Sequence, residues 1–385
     1  MTDNPIDPEW SLLLAACSVV PPEQKRDRLL ELLRHPVRWQ RLLALADYHR
    51  VQPLLCQALC GFEQAIPHDQ IRTLKEDERA NLHKALLLSR ELIRIVAHLS
   101  ALGLKVMPYK GPALAELLYG DIAMRPPGDI DLLVRRRDLA RIRVAVGGLG
   151  YIPHLRLTPR EEQAYLSSGY ELAFDGDAGP NLLELQWAIQ PRFYAVNFDI
   201  DGVFQRAVTL NVAGHAMATP SPADLFLILS LHAAKHVWGR LVWLCDIAQL
   251  MMTPDLDWNW IGSQAQELGI VRILRVTMLA ANEFLGAAVP SAAQQALPED
   301  RAAPALLQQI QAHIVSETPF NVDSLAYFRL TIQLRERQAD RLRFLTRLVF
   351  TPGPSEWAAV RLPELLFPMY PLVRLSRLAA KMVRA

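Results

Sequence analysis

Apolar residues recur with a helical period through the first hundred positions. Residues 10–20 are apolar and small until Pro21-Pro22 stops them, and 23–33 and 38–50 read as short amphipathic helices punctuated by Pro36 and Pro53. Residues 76–102 predict a longer helix in which Leu82, Leu86, Ile93 and Val96 are spaced for one buried face, with Gly103 as its stop. No strand signal precedes Leu104.

The pattern then changes period. Residues 104–109 read as a strand, and Lys110-Gly111-Pro112 turns the chain into a helix over 113–119. Beyond the Pro126-Pro127-Gly128 loop, 129–134 is a strand, 138–147 a helix and 151–154 extended. Residues 170–174 and 182–187 are two more strands bracketing a Gly/Asp turn. This order predicts a small mixed sheet of four or five strands with helices on one side. After Pro220 helices resume at 223–237, 241–252, 258–268 and 272–285 and continue to the end, broken near Pro352-Gly353-Pro354. The expected architecture is α+β in three parts: an N-terminal helical region (1–102), an α/β core (103–220) and a C-terminal helical domain (221–385).

Composition narrows the class. The 385 residues carry 41 Lys+Arg against 40 Asp+Glu and are 51% hydrophobic, which excludes a disordered chain and a basic nucleic-acid coat protein. Cys17, Cys56, Cys60 and Cys245 are too few and too scattered for a disulfide framework. No run approaches the ~20 apolar residues of a membrane span. MTDNPIDPEW carries acids and prolines where a secretory leader has basic and then apolar residues, so a cytoplasmic setting is expected.

The candidate chemistry centres on Asp129 and Asp131. Residues i and i+2 of a strand share a face, so both carboxylates project together. Two ionised carboxylates so close repel unless a cation lies between them, and Mg²⁺ takes one or two carboxylates plus substrate phosphates. Alone, the pair also fits a strand ending in solvent. Its context favours the cation: Lys110-Gly111 stands between a strand and a helix, where glycine allows close phosphate approach and the helix start offers N–H donors, and Arg125 lies in the following loop. A third carboxylate is expected on a neighbouring strand. Glu184, the single acid within Leu182-Leu183-Glu184-Leu185-Gln186-Trp187, suits that role best, with Glu171 as its rival.

These segments resemble the uncharacterised bacterial branch of the nucleotidyltransferase superfamily, which shares the DNA polymerase β-like catalytic fold. The resemblance covers roughly residues 80–290. It rests on Tyr109-Lys110-Gly111, Leu117-Leu118-Tyr119, Arg125-Pro126-Pro127-Gly128-Asp129-Ile130-Asp131, Leu183-Glu184-Leu185-Gln186-Trp187, and then His232, Lys235-His236, Trp243 and Asp246. The superfamily usually has Gly-Ser or Gly-Gly after the first strand, where this chain has Lys-Gly. The branch usually reads Asp-Leu-His-Trp where this chain has Glu184-Leu185-Gln186-Trp187. The resemblance implies a polymerase β-like core and two Mg²⁺ (or Mn²⁺) ions held by Asp129, Asp131 and Glu184. It implies a nucleoside triphosphate, ATP for instance, bound by Lys110, Gly111, Arg125, Lys235 and His236, with Asp246 orienting Lys235 or His236; a core or structural role suits His232 and Asp246 equally. The implied reaction moves a nucleoside monophosphate to an acceptor hydroxyl. Transfer of the γ-phosphoryl group from the same site and a non-catalytic helical protein with a relic core are the alternatives.

The remaining signals are weaker. His232 and His236 have a zinc-compatible spacing but lack the Glu of an H-E-x-x-H motif and a third ligand. Cys56 and Cys60, and Trp238, Trp243, Trp258 and Trp260, have core spacing. From Asp323 onward 11 Lys+Arg face 5 Asp+Glu, and residues 372–385 mix Leu, Val and Met with Arg374, Arg377, Lys381 and Arg384, a pattern that suits a packed helix or weak membrane-surface contact. Near-zero net charge points to a small molecule, sugar or peptide acceptor over nucleic acid.

Overall fold

The computed structural model describes residues 7–176, 179–254, 256–317, 320–321 and 324–384; Asp323 and Ala385, which bound two stretches noted above, lie outside them. Four helices come first: α1 (Pro8–Cys17), α2 (Pro22–Leu33), α3 (Trp39–His49) and α4 (Gln52–Leu59). The long α5 (His68–Ala101) leads to β1 (Val106–Pro108), α6 (Gly111–Tyr119), β2 (Ile130–Val134), α7 (Leu139–Gly148) and β3 (Ile152–Pro153). Next come α8 (Pro159–Ser168), β4 (Glu171–Gly176), β5 (Gly179–Gln186), α9 (Ile200–Gln205), β6 (Val208–Val212) and β7 (His215–Thr219). The C-terminal helices are α10 (Pro222–Lys235), α11 (Leu241–Met251), α12 (Trp258–Leu268), α13 (Val271–Leu285), α14 (Ser291–Ala296), α15 (Ala303–Val315), α16 (Leu325–Gln333), α17 (Gln338–Phe350), α18 (Pro354–Ala359) and α19 (Tyr370–Arg384).

The expected α+β architecture is present, with a five-stranded mixed sheet in the order β1-β2-β5-β4-β3. Only β2 and β5 run parallel; the other neighbours are antiparallel. Alternation along β2 explains its two faces. Ile130, Leu132 and Val134 join Leu183, Leu185, Leu172 and Phe174 in a core completed by Leu88, Leu92, Ile95 and Leu99 of α5 and Ile142 and Val146 of α7. The opposite face carries Asp131, Glu184 and Gln186 and meets Lys110 at the head of α6 and Lys235 at the end of α10, by way of Tyr170. The sheet is therefore covered on both sides, where helices on one side were expected. A second, larger apolar cluster joins α1–α4 to α10–α17, including Trp10, Leu42, Leu55, Phe226, Trp238, Leu274 and Phe344.

Three sequence expectations change. Leu82 and Leu86 of α5 are 42% and 51% exposed, because the sheet takes the stripe Ala85, Leu88, Leu92, Ile95 and Leu99 instead. That stripe repeats every three or four residues as strictly as the expected one; the strands decide which face is buried. Secondly, α8, α9 and the β6–β7 hairpin are elements that no expectation named, although Val208, Leu210 and Val212 of β6 alternate with Thr209 and Asn211. α8 opens with a capping box of Thr158 and Glu161, and Asp199 caps α9 by accepting from the Gly202 N–H. Thirdly, Arg374 and Arg377 of α19 turn inward to Glu356, while Leu372 is 58% exposed. Among the described residues no helix is long and apolar enough to cross a membrane.

Candidate functional site

β2 and β5 set Asp131 directly opposite Glu184, and parallel partners face the same side of a sheet. Asp129 stands one residue before β2. The three side chains bring ligand oxygens within 4.8 Å of one another, the only such group among the described residues. Glu184, and not Glu171, completes the set. Glu171 lies one strand further out, opposite Gln186, and reaches the others through the Gln186 amide.

The cluster is short of positive charge. Burial and then the charges of Asp131, Glu171 and Asp129 push Glu184 up to about 8. Burial and then Asp131 raise Asp129, and burial raises Glu171 against the pull of Lys235. The nearest cation is Lys110, whose Nζ lies 2.9 Å from Asp131 Oδ1 in a nearly buried ion pair. Burial disfavours its charge, but Asp131 more than compensates and holds it protonated. The ion pair of Lys110 with Asp131 is a contact that the sequence reading did not foresee. Its neighbour Gly111 starts α6 at φ +56°, with its backbone against Asp129; a Cβ there would lie 3.2 Å from the Asp129 carbonyl oxygen. Gly111→Ala is expected to cost about 1–2 kcal/mol, read as a lowered urea midpoint, because an L side chain is strained at that φ and crowds Asp129.

The loop carrying Asp129 is held from three directions. Arg125 Nε donates to Asp246 Oδ2 at 2.9 Å, and the Tyr119 hydroxyl donates to Asp246 Oδ1 at 3.1 Å. Arg50, left-handed at the end of α3, donates from Nη2 to the carbonyls of Pro126 and Pro127. It fits against Gly128, where a Cβ would lie 3.0 Å from that nitrogen. Asn81 donates to the Ala123 carbonyl at 2.6 Å. The expected link of Asp246 to Lys235 or His236 is replaced by these bonds to Arg125 and Tyr119.

Lys235 lies near the acids, on their side of the sheet. Its Nζ lies 3.0 Å from the Tyr170 hydroxyl, and burial lowers its pKa while Glu171 favours its charge. His232 and His236 pack on each other and on Trp243. Burial keeps both neutral, His236 down to about 3 and His232 well below its ordinary value. No zinc-type cluster includes them among the described residues. Burial pushes the Cys56 thiol up to about 12, away from the thiolate a metal ligand needs.

Sequence reasoning missed Arg50, Tyr170 and the parts that Tyr109 and Gln186 play. Arg50 lies outside every motif, and its only local signal is a helix end. Gln186 was visible solely as a departure from His.

No curated protein matches the chain. A solved structure described as an antigenic nucleotidyltransferase-like protein from Paracoccidioides brasiliensis is 18% identical, with a TM-score of 0.33 over 54% of this chain and 95% of that one. A family model of uncharacterised nucleotidyltransferases matches residues 35–286, well over half the chain and every residue of the acidic site. The chain therefore belongs to this family of uncharacterised nucleotidyltransferases.

Proposed function

We propose that the chain transfers a nucleoside monophosphate from a nucleoside triphosphate to a hydroxyl acceptor, using divalent cations held by Asp129, Asp131 and Glu184. The observation that carries this reading is the convergence of three carboxylates within 4.8 Å on a largely buried sheet face. The residues fit such ions. The donor set is all carboxylate oxygen, which suits Mg²⁺ or Mn²⁺ over softer metals. Asp131 Oδ2 is buried and meets no donor among the described residues, as a ligand atom awaiting a cation does. When bound, such ions neutralise the polyphosphate and favour ionisation of an attacking hydroxyl.

The chain's own residues bind and orient. The start of α6, with the Gly111 N–H, offers donors to phosphate oxygens. Lys235 supplies a cation beside the acids, and His236, next to it at the end of α10, offers a neutral ring to the nucleotide. Lys110 and Arg125 contribute from within their ion pairs, fixing Asp131 and the Asp129 loop. The acceptor oxygen attacks the α-phosphorus in line, its proton passes to solvent water, and the bond to the β-phosphate oxygen breaks to release pyrophosphate. A near-neutral chain favours a sugar, peptide or small-molecule acceptor.

The test uses α- and γ-labelled triphosphates with Mg²⁺ and a cell extract as acceptor source. The expected product retains the α label and gains the mass of one nucleoside monophosphate. Transfer of the γ label alone makes the protein a phosphotransferase, and no transfer with no Mg²⁺-dependent nucleotide binding makes it a relic. Asp129→Asn and Asp131→Asn are each expected to abolish that binding in calorimetry while leaving the protein folded.

A further inference from the structure

Gln186 closes β5 and is 2% exposed. Its Nε2 lies 2.8 Å from Glu184 Oε2, 3.1 Å from Asp131 Oδ1 and 3.3 Å from Glu171 Oε2. Each carboxyl group, protonated or not, keeps an acceptor oxygen, so the NH₂ end of the amide faces the three acids. The Tyr109 hydroxyl donates to Oε1 at the other end and fixes that orientation. Two amide hydrogens meet three acceptors, and the two shortest contacts go to Glu184 and Asp131. Asp131 Oδ1 also receives Lys110 Nζ. Two protein donors thus occupy one oxygen of Asp131, and Oδ2 is the atom left without a donor.

We propose that Gln186 is the positioning residue of the acidic cluster: its amide pins one oxygen each of Asp131 and Glu184, so that their free oxygens converge on a small divalent cation. This rests on the metal-dependent reading above. An amide does the work without adding a fourth negative charge beside three acids. It also has a geometric consequence. Mg²⁺ demands near-ideal octahedral geometry, whereas Ca²⁺ accepts longer and more variable bonds. Loosened carboxylates therefore penalise Mg²⁺ more than Ca²⁺, while a side chain that merely filled space would on removal weaken both alike.

The test displaces Mn²⁺ from the full-length, metal-free protein with Mg²⁺ or Ca²⁺, reading free Mn²⁺ by electron paramagnetic resonance. The proteins compared are wild type, Gln186→Met, Tyr109→Phe, the double variant and Asp131→Asn. Gln186→Met keeps the volume and removes the donors. It is expected to weaken Mg²⁺ by about 10–100-fold, the usual effect of losing a group that orients a ligand, and Ca²⁺ by distinctly less. Tyr109→Phe is expected to shift the Mg²⁺/Ca²⁺ ratio the same way by a smaller factor. The double variant is expected to be no worse than Gln186→Met, because Tyr109 acts through Gln186. Asp131→Asn is expected to lose both ions. An unchanged ratio in Gln186→Met, with wild type binding and Asp131→Asn not, overturns the positioning role and leaves the metal site standing. Failure of wild type to bind any of the three ions overturns both. Should Gln186→Met not fold, an unchanged ratio in Tyr109→Phe overturns the proposal by itself.

Discussion

Without metal, the acidic cluster is expected to make the protein less stable as pH rises from about 4.5 to about 8, and Mg²⁺ to restore most at the alkaline end. The cause is Glu184, whose pKa rises from 4.5 in a free side chain to about 8 through burial and then the charges of Asp131, Glu171 and Asp129. Below pH 4.5 the side chain is protonated in both states and its stability contribution is intact. Between the two values the unfolded chain has released the proton and the folded chain has not, so stability falls with pH. Above 8 the loss is complete, on the order of 3 kcal/mol for Glu184 after allowance for solvent screening. Asp129 and Glu171, raised likewise, add to the same slope. The buried histidines oppose it. His49 and His236, both brought down to about 3 by burial, and His232 remove stability as pH falls below 6.5. The measurement is therefore a difference: urea midpoints of wild type and Glu184→Gln from pH 5 to 9, with and without Mg²⁺, in which the histidine contributions cancel. Glu184→Gln is expected to be the more stable metal-free protein above pH 8 and to lose the Mg²⁺ effect. Parallel curves for the two proteins would show that the cluster stores no repulsion for a cation to relieve.

How much of this was legible follows from the range over which each signal acts. Asp129 and Asp131 could be read because strand alternation is local, and β2 takes the expected residues almost end to end. Glu184 could be read because an acid inside an apolar strand is costly without a partner. Its register against Asp131 is a pairing between residues 53 apart in the chain, and sequence could name it as an expectation alone. Lys110 illustrates the limit: its place between strand and helix was right, while its ion pair with Asp131 depends on which side chain faces it, which no local pattern shows. The burial of α5 failed for the same reason, since two stripes of one helix had an apolar period and the strands chose between them. Arg50 had no signal beyond a helix end, because what matters there is that end meeting a loop 76 residues away.

The second large effect concerns the anchor of the Asp129 loop. Asp246→Ala is expected to cost about 3–5 kcal/mol, because it leaves the Arg125 guanidinium buried with no counter-charge. Both side chains are nearly inaccessible, and the Tyr119 hydroxyl loses its acceptor as well. The cost reaches the site because Arg125 lies four residues before Asp129. Stability and loop placement separate in the double variant Arg125→Met/Asp246→Leu. Replacing a buried ion pair with apolar side chains of similar volume is often neutral or stabilising, so the double variant is expected to regain most of the urea midpoint. It cannot regain the directional bonds that tie the loop to α11, and Arg50 then holds Pro126 and Pro127 alone. The expected result is a protein nearly as stable as wild type with weakened Mg²⁺-dependent nucleotide binding in calorimetry. If the double variant recovers binding together with stability, the ion pair fills space beneath the site, and the clamp from Arg50 is what places Asp129.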